Sequence, residues 1–304
     1  MRLIVHGQQA YGKSVLEAIL DKGADEVVAV YCAPDKEGRP LDPLKEFALE
    51  QGMPVHQPES YKNPEVWEQL ASHDADLCVM AYVLLFVPEE ALNVPKLGSI
   101  QYHPSLLPWH KGPSSINWPI IMGRKKTGLS IFWPDNGLDT GPILLQKEVE
   151  IGPDDTLGSI YFDKLFPLGV EAMLEAIDLV RDGKAPRVAQ DPDDGSYEGW
   201  CRKEDVRIDW SKPGDEVYNL IRGANPQPGA WTIYDGDEVK IFDSRKDDAS
   251  GEPGTVLSID DGGVVIATGD GAIRVMKVRA DAGKLTAAEY AAAAGLAVGA
   301  KLGG

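Results

Sequence analysis

Cysteine is scarce in this sequence: three residues, Cys32, Cys78 and Cys201, in 304. None stands in a C-x-x-C pair, and the odd number argues against a disulfide framework, so they read as reduced thiols in a cytoplasmic protein, with Cys78 in the core. Basic residues are also short, 30 Lys and Arg against 48 Asp and Glu, for a net charge of −18. Such a chain repels phosphate backbones unless it segregates a basic patch, which weighs against nucleic acid as a partner. No apolar run approaches the ~18 residues needed to span a bilayer. A basic, then apolar, then small-residue leader is missing too, because Arg2-Leu3-Ile4-Val5 already reads as a strand. What is present is a hydrophobic content of 43% over a length that allows one large domain or two ordinary ones. That is enough apolar surface to bury a core.

The first half alternates short apolar runs with helical patterns. Strands are expected at 3–5, 27–31, 54–56, 77–80 and 99–102, with helices at 11–22, 43–51 and 65–72 between them. This alternation predicts βαβ units and a mostly parallel, Rossmann-like sheet. Residues 82–88 read as a loop, 114–122 as a helix, and 127–133 and 143–149 as strands. A long amphipathic helix is expected from Thr156 to Arg181, started by Asp154 and Asp155 and ended by Gly183. Residues 184–203 turn polar and rich in Pro, Asp and Gly, and read as a linker between a catalytic domain, 1–183, and a C-terminal domain, 204–304. In the latter a helix around 215–222 precedes short alternating runs at 231–234, 239–242, 254–259, 263–268 and 272–278. These predict a small antiparallel, OB-like barrel. An Ala-rich surface helix from Thr286 to Leu302 closes the chain.

Gly7-x-x-x-x-Gly12-Lys13-Ser14 fits the phosphate-loop expression and follows a strand. Nothing else supports nucleotide hydrolysis and no strand ending in a magnesium-binding Asp accompanies it, so no nucleotide-binding role is expected of it. The segment Gln101-Tyr102-His103-Pro104-Ser105-Leu106-Leu107-Pro108 is more telling. A strand end delivers His103 into a loop closed by two prolines, where open α/β sheets bind ligands. Asp139, in Gly137-Leu138-Asp139-Thr140-Gly141, lies on a second loop just past a strand. A carboxylate can orient an imidazole that donates to an oxygen gaining negative charge. Ser105 does not complete a triad, because no G-x-S-x-G elbow is present. Metal is not expected: His103 and His110 lack helical i, i+4 spacing and the cysteines are scattered.

With Gly112, Ile116-Asn117-Trp118, Ile208-Asp209-Trp210 and Pro228-Gly229-Ala230-Trp231, these runs closely resemble the 10-formyltetrahydrofolate-dependent formyltransferase superfamily, over nearly the whole chain. The resemblance implies a formyl donor, 10-formyltetrahydrofolate, at the carboxyl end of the sheet. It implies a pterin held largely by backbone groups of two loops, Val83, Leu84, Leu85, Phe86 and Val87 on one, and Asp135, Gly137, Leu138 and Asp139 on the other. It also implies a catalytic trio in which His103 and Asp139 match, while Gln101 stands where amine-formylating members carry Asn.

Gln101, with Ile131-Phe132-Trp133, Leu165-Phe166-Pro167 and Tyr197-Glu198-Gly199, leans toward the branch that includes the hydrolase domain of 10-formyltetrahydrofolate dehydrogenase. The overall layout, with its C-terminal domain, is similar to methionyl-tRNA formyltransferase. The basic insertion of that branch is replaced by Asp35-Lys36-Glu37-Gly38-Arg39-Pro40, which is short and nearly neutral. The expectation is hydrolysis of 10-formyltetrahydrofolate or formyl transfer to a small acceptor. Methionyl-tRNA formylation, amino-sugar nucleotide N-formylation and folate binding without turnover are the alternatives.

Overall fold

The structure, a computed structural model, describes residues 1–280 and 283–303. It divides into two compact units. The first holds residues 1–112, 128–148 and 164–197; the second holds 113–127, 149–163 and the chain from Glu198 onward. Residues 281, 282 and 304 of the expected C-terminal domain lie outside the described residues.

The first unit is built on a seven-stranded sheet in the order β3-β2-β1-β4-β5-β6-β7. Its strands are β1 (Arg2–Gly7), β2 (Glu26–Tyr31), β3 (Val55–His56), β4 (Leu77–Ala81), β5 (Ser99–His103), β6 (Lys126–Phe132) and β7 (Ile143–Glu150). β1 pairs in parallel with β2 and β4, and β4 with β5; β6 turns antiparallel to β5. Helices cover the parallel part: α1 (Gln9–Lys22), α2 (Pro43–Glu50), α3 (Pro64–Ser72) and the short α4 (Glu89–Leu92). This is the mostly parallel Rossmann-like sheet expected. Leu3, Ile4 and Val5 are all fully buried, as a strand covered on both faces requires.

The helix starts follow local chemistry. Asn63 accepts from Glu65 N and caps α3, and Asp42 accepts from Leu44 N and caps α2. Asp42 also receives Gln9 N at 2.9 Å, so one carboxylate serves two helix starts. Gly7 ends β1 and α1 begins two residues later, which leaves no phosphate-cradling loop between them. A Cβ on Gly7 would lie 2.2 Å from Ala81 O, so close strand packing is what selects glycine there. Lys13 faces Glu17 at 3.6 Å and the Phe47 ring.

Three expectations are corrected. The helix predicted over 114–122 is turn until α5 (Asn117–Ile121). The long helix over 156–181 is broken into α6 (Leu157–Ser159), a π-helical turn at Ile160–Leu165, and α7 (Phe166–Arg181). Pro167 lacks the N–H that would continue the ladder, and the backbone widens ahead of it. Its N-terminal cap is Thr156, in a reciprocal pair with Ser159, while Asp154 accepts from the Tyr218 hydroxyl. The Ala-rich helix runs only from Ala287 to Ala294 (α9), since Gly295 takes a left-handed φ of 66° and stops it. Nor is it merely a surface helix: Ala287, Tyr290 and Ala291 are buried, as are Leu296 and Leu302 beyond it.

The second unit carries α5, α6, α8 (Gly214–Gly223) and α9 with an antiparallel sheet. Its strands are β8 (Ala230–Tyr234), β9 (Asp237–Asp247), β10 (Val256–Asp260), β11 (Gly263–Ala267), β12 (Ala272–Ala280) and β13 (Gly283–Thr286). The order is β10-β11-β12-β9-β8, with β13 on β12. This is the small antiparallel β-structure expected. Val239, Ile241, Val264, Ile266, Ile273 and Val275 form its core with α8 and α9. No helix among the described residues is long and apolar enough to cross a membrane.

Candidate active site

β5 positions the first two candidates. Gln101 pairs with Met80 and Phe132 at the middle of the sheet, and His103 is the last strand residue. Side chains alternate along a strand, so residues 101 and 103 share a face while Tyr102 takes the other. There Tyr102 stacks on Tyr11 at 4.4 Å. The Pro104–Pro108 loop that follows is fixed from below by Ser130. Its hydroxyl donates to Ser105 O at 2.7 Å and accepts from Leu107 N and Gln146 Nε2. Ser105 donates its own hydroxyl to Trp109 O at 2.7 Å, so it is occupied in the loop rather than by His103.

His103 is 6% exposed, and its Nε2 lies 2.9 Å from the main-chain oxygen of His110. A carbonyl can only accept, so Nε2 carries the hydrogen and Nδ1 is the free nitrogen of the neutral ring. Nδ1 stands 3.6 Å from Asp139 Oδ2, beyond direct hydrogen-bond range. The carboxylate is itself held: Gly112 N donates to Oδ2 at 2.9 Å. Asp139 is 8% exposed and has a φ of 56°, a left-handed conformation uncommon for a side-chain-bearing residue. β6 runs antiparallel to β5, so the loop after β6, and not a parallel strand end, brings Asp139 to His103. Nδ1 and the carboxylate are two acceptors facing one small gap. They suit a nucleophile with two hydrogens to give, or a proton held between them. Among the described residues the Gln101 side chain makes no hydrogen bond, which leaves its amide free for a substrate oxygen.

The two loops expected to hold a pterin are neighbours. Asn136 Oδ1 accepts from Glu89 N at 3.0 Å, tying the segment before Asp139 to the end of the 82–88 loop. Asp135 Oδ1 closes its own turn, accepting from Gly137 N at 2.9 Å and Thr140 Oγ1 at 2.7 Å. Val83 and Val87 pack on the core, whereas Leu84, Phe86 and Leu138 are 56%, 53% and 56% exposed. Exposed apolar side chains on two tethered loops offer surface that a flat, largely apolar ligand would cover.

One part of the site was not legible in the sequence. Residues 184–197 belong to the first unit and lie against the loop after His103 and the loop that holds Asp139. Gln190 Nε2 donates to Asp139 O at 2.9 Å and to Gly141 O at 2.7 Å, and Ser196 Oγ accepts from His110 N at 3.0 Å. A polar stretch with Pro, Asp and Gly carries no periodic signal, so only a three-dimensional contact reveals these two residues. Among the described residues no three His, Cys, Asp or Glu side chains converge as a metal-binding set.

The architecture is a Rossmann-like α/β unit that holds a buried His–Asp pair, and a second unit with an antiparallel sheet. The chain belongs to the formyl transferase family: residues 1–177 match the Formyl transferase domain, and residues 201–294 match the Formyl transferase, C-terminal domain. It is 40% identical over 310 residues to the mitochondrial 10-formyltetrahydrofolate dehydrogenase of Mus musculus, with 97% of this chain aligned. The chain spans about a third of the length of that relative. It is 36% identical to the methionyl-tRNA formyltransferase of Trichlorobacter lovleyi over 98% of this chain and 96% of the relative. In fold it is similar to HypX from Aquifex aeolicus, solved in complex with tetrahydrofolic acid. The TM-score is 0.66 at 21% identity, over 96% of this chain and 47% of that one.

Proposed function

We propose that this chain takes 10-formyltetrahydrofolate as formyl donor and passes the formyl group to water, giving tetrahydrofolate and formate, or to a small acceptor. The observation that carries the reading is Gln101 on the same strand face as His103, with His103 and Asp139 facing one gap. Amine-formylating members of the superfamily place Asn at position 101; the longer Gln shifts the amide donor by about one C–C bond, enough to alter rate substantially. The pterin lies on Leu84, Phe86 and Leu138, and covering each would recover on the order of 1–2 kcal/mol.

The chemistry follows from the donors and acceptors. Water in the gap gives its protons toward His103 Nδ1 and Asp139, and its oxygen attacks the formyl carbon. Gln101 donates to the formyl oxygen as it becomes negative. The C–N10 bond then breaks, N10 takes up a proton from His103 or a water, and formate leaves. Proton transfer of this type is worth on the order of 10²–10⁴ in rate.

A second reading, methionyl-tRNA formylation, draws on the end-to-end likeness to the Trichlorobacter lovleyi enzyme. The charge of the second unit counts against it. Arg274 is paired with Asp247 and Asp260, Lys246 with Asp215, Lys277 with Asp243, and Lys203 with Glu238. Cations already neutralised by carboxylates are poor phosphate ligands. The deciding experiment incubates the protein with 10-formyltetrahydrofolate alone and follows tetrahydrofolate and formate. Release without an acceptor supports hydrolysis. Release only after charged initiator tRNA is added overturns it in favour of the second reading.

A further inference from the structure

We infer that residues 184–197 form a strap that sets the geometry of the His103–Asp139 pair, with Gln190 and Ser196 as positioning residues. The inference rests on the reading of that pair as catalytic.

The strap is anchored at both ends and in the middle. At its start Trp133 Nε1 donates to Pro186 O at 2.9 Å, and the Arg187 guanidinium lies 3.8 Å above the Trp133 ring. Val188 and Ile143 then exchange both main-chain hydrogen bonds, at 2.8 and 3.0 Å. The strap thus adds a bridge at the head of β7, directly after the Asp139 loop. Next comes Gln190, whose amide spans the carbonyls of Asp139 and Gly141. A single NH₂ group with two hydrogens fits two carbonyls, and it fixes the peptide units on both sides of the turn. Asp139 needs such support, because a left-handed conformation persists only where the surroundings over-determine it.

At its far end the strap reaches the other loop. Ser196 N donates to Pro108 O at 3.1 Å, Lys111 N donates to Ser196 O at 3.0 Å, and His110 N donates to Ser196 Oγ at 3.0 Å. His110 is also left-handed, with a φ of 56°. Three bonds around one serine therefore hold the residue whose carbonyl receives His103 Nε2–H. That bond selects the tautomer of His103 and leaves Nδ1 for the reaction. One segment thus governs both partners: Ser196 acts through His110 on the imidazole, and Gln190 acts through the Asp139 backbone on the carboxylate.

The test uses Ser196→Ala, Ser196→Thr, Gln190→Leu and Gln190→Glu in the full chain. Two readouts are taken, turnover of 10-formyltetrahydrofolate and the ¹⁵N resonances of the His103 ring, with the thermal midpoint as the control for folding. Ser196→Ala and Gln190→Leu are expected to lower kcat by on the order of 10- to 100-fold, with KM and the thermal midpoint nearly unchanged. In Ser196→Ala the His103 ring resonances move toward a mixture of tautomers. Ser196→Thr, which keeps the acceptor, restores both readouts. Gln190→Glu does not restore activity, because a carboxylate has no hydrogen to give the two carbonyls. Unchanged ring resonances and kcat in Ser196→Ala and Gln190→Leu overturn the inference, as does a loss of kcat that only follows a loss of folded protein. If the unaltered chain releases no tetrahydrofolate, the functional reading fails, and the ring resonances of Ser196→Ala still decide whether the strap sets the tautomer.

Discussion

His103 is joined to His110 through Nε2 and a main-chain oxygen 2.9 Å away. An imidazole tied at one nitrogen to a carbonyl cannot rotate or exchange tautomers without losing that bond. The other nitrogen is thereby presented, unprotonated in the neutral ring, on the side of Asp139. Gly112 N, at 2.9 Å from Oδ2, plays the matching part for the carboxylate. Both candidate groups are held by backbone, which would pre-order them for a reaction at no further cost.

Asp139→Asn keeps an oxygen for Gly112 N but removes the charge. It is expected to lower tetrahydrofolate release by on the order of 10²- to 10⁴-fold, and His103→Ala by a similar factor. Equilibrium folate binding, followed by fluorescence quenching, stays within a few-fold. A variant of either kind that turns over at the normal rate would dismiss the pair as catalytic.

Gln101→Asn shortens the amide arm by one methylene on the face shared with His103. Hydrolysis is expected to fall by about tenfold, and formyl transfer to an amine acceptor to gain relative to it. The ratio of formate to formylated amine, measured in one mixture, reports the change. An unaltered ratio would remove Gln101 from the choice of acceptor.

Burial lowers the pKa of His6 to about 3 and depresses those of His56 and His73 as well. Between about pH 6.5 and 3 the unfolded chain therefore binds protons that the folded chain refuses. Stability falls as pH drops through that window, by about 2 kcal/mol at pH 5 from His6 alone. Urea unfolding at pH 7 and pH 5 checks this. His6→Leu flattens the difference if the assignment is right, and leaves it intact if other groups dominate.

Gly7→Ala drives a methyl group into Ala81 O and is expected to cost roughly 2–4 kcal/mol of stability. Lys13→Ala, on the exposed face of α1, costs about 0.5 kcal/mol or less and leaves turnover unchanged. Loss of activity in the Lys13 variant with folding intact would revive a phosphate-binding role for the Gly7–Ser14 segment.

The parallel half of the sheet was readable because its strands are buried on both faces, so Leu3–Val5 and Leu77–Met80 stand out as unbroken apolar runs. His103 and Asp139 stood out because each follows an expected strand and their runs resemble a known family, and the structure brings the two side chains to 3.6 Å. Other features carried no local signal. The π-helical turn before α7 arises from one missing amide within a sound amphipathic pattern. Residues 184–197 read as a linker because their order comes from hydrogen bonds to loops some 50 to 90 positions earlier. In the Ala-rich segment the composition favoured a helix past Gly295, but Leu296 and Leu302 instead pack into the second core.

The strap also gives the molecule a chronology. Translation delivers β5, the His103 loop and the Asp139 loop first, and the sheet that carries them can pair as soon as β7 emerges. Gln190 and Ser196 follow 40 and 46 residues behind the end of that strand. A nascent chain halted at α7 would thus own every candidate catalytic side chain, yet leave the left-handed turns at His110 and Asp139 unlatched. Those turns gain their latch only when the residues around 190–196 have been made and settle over loops made before them.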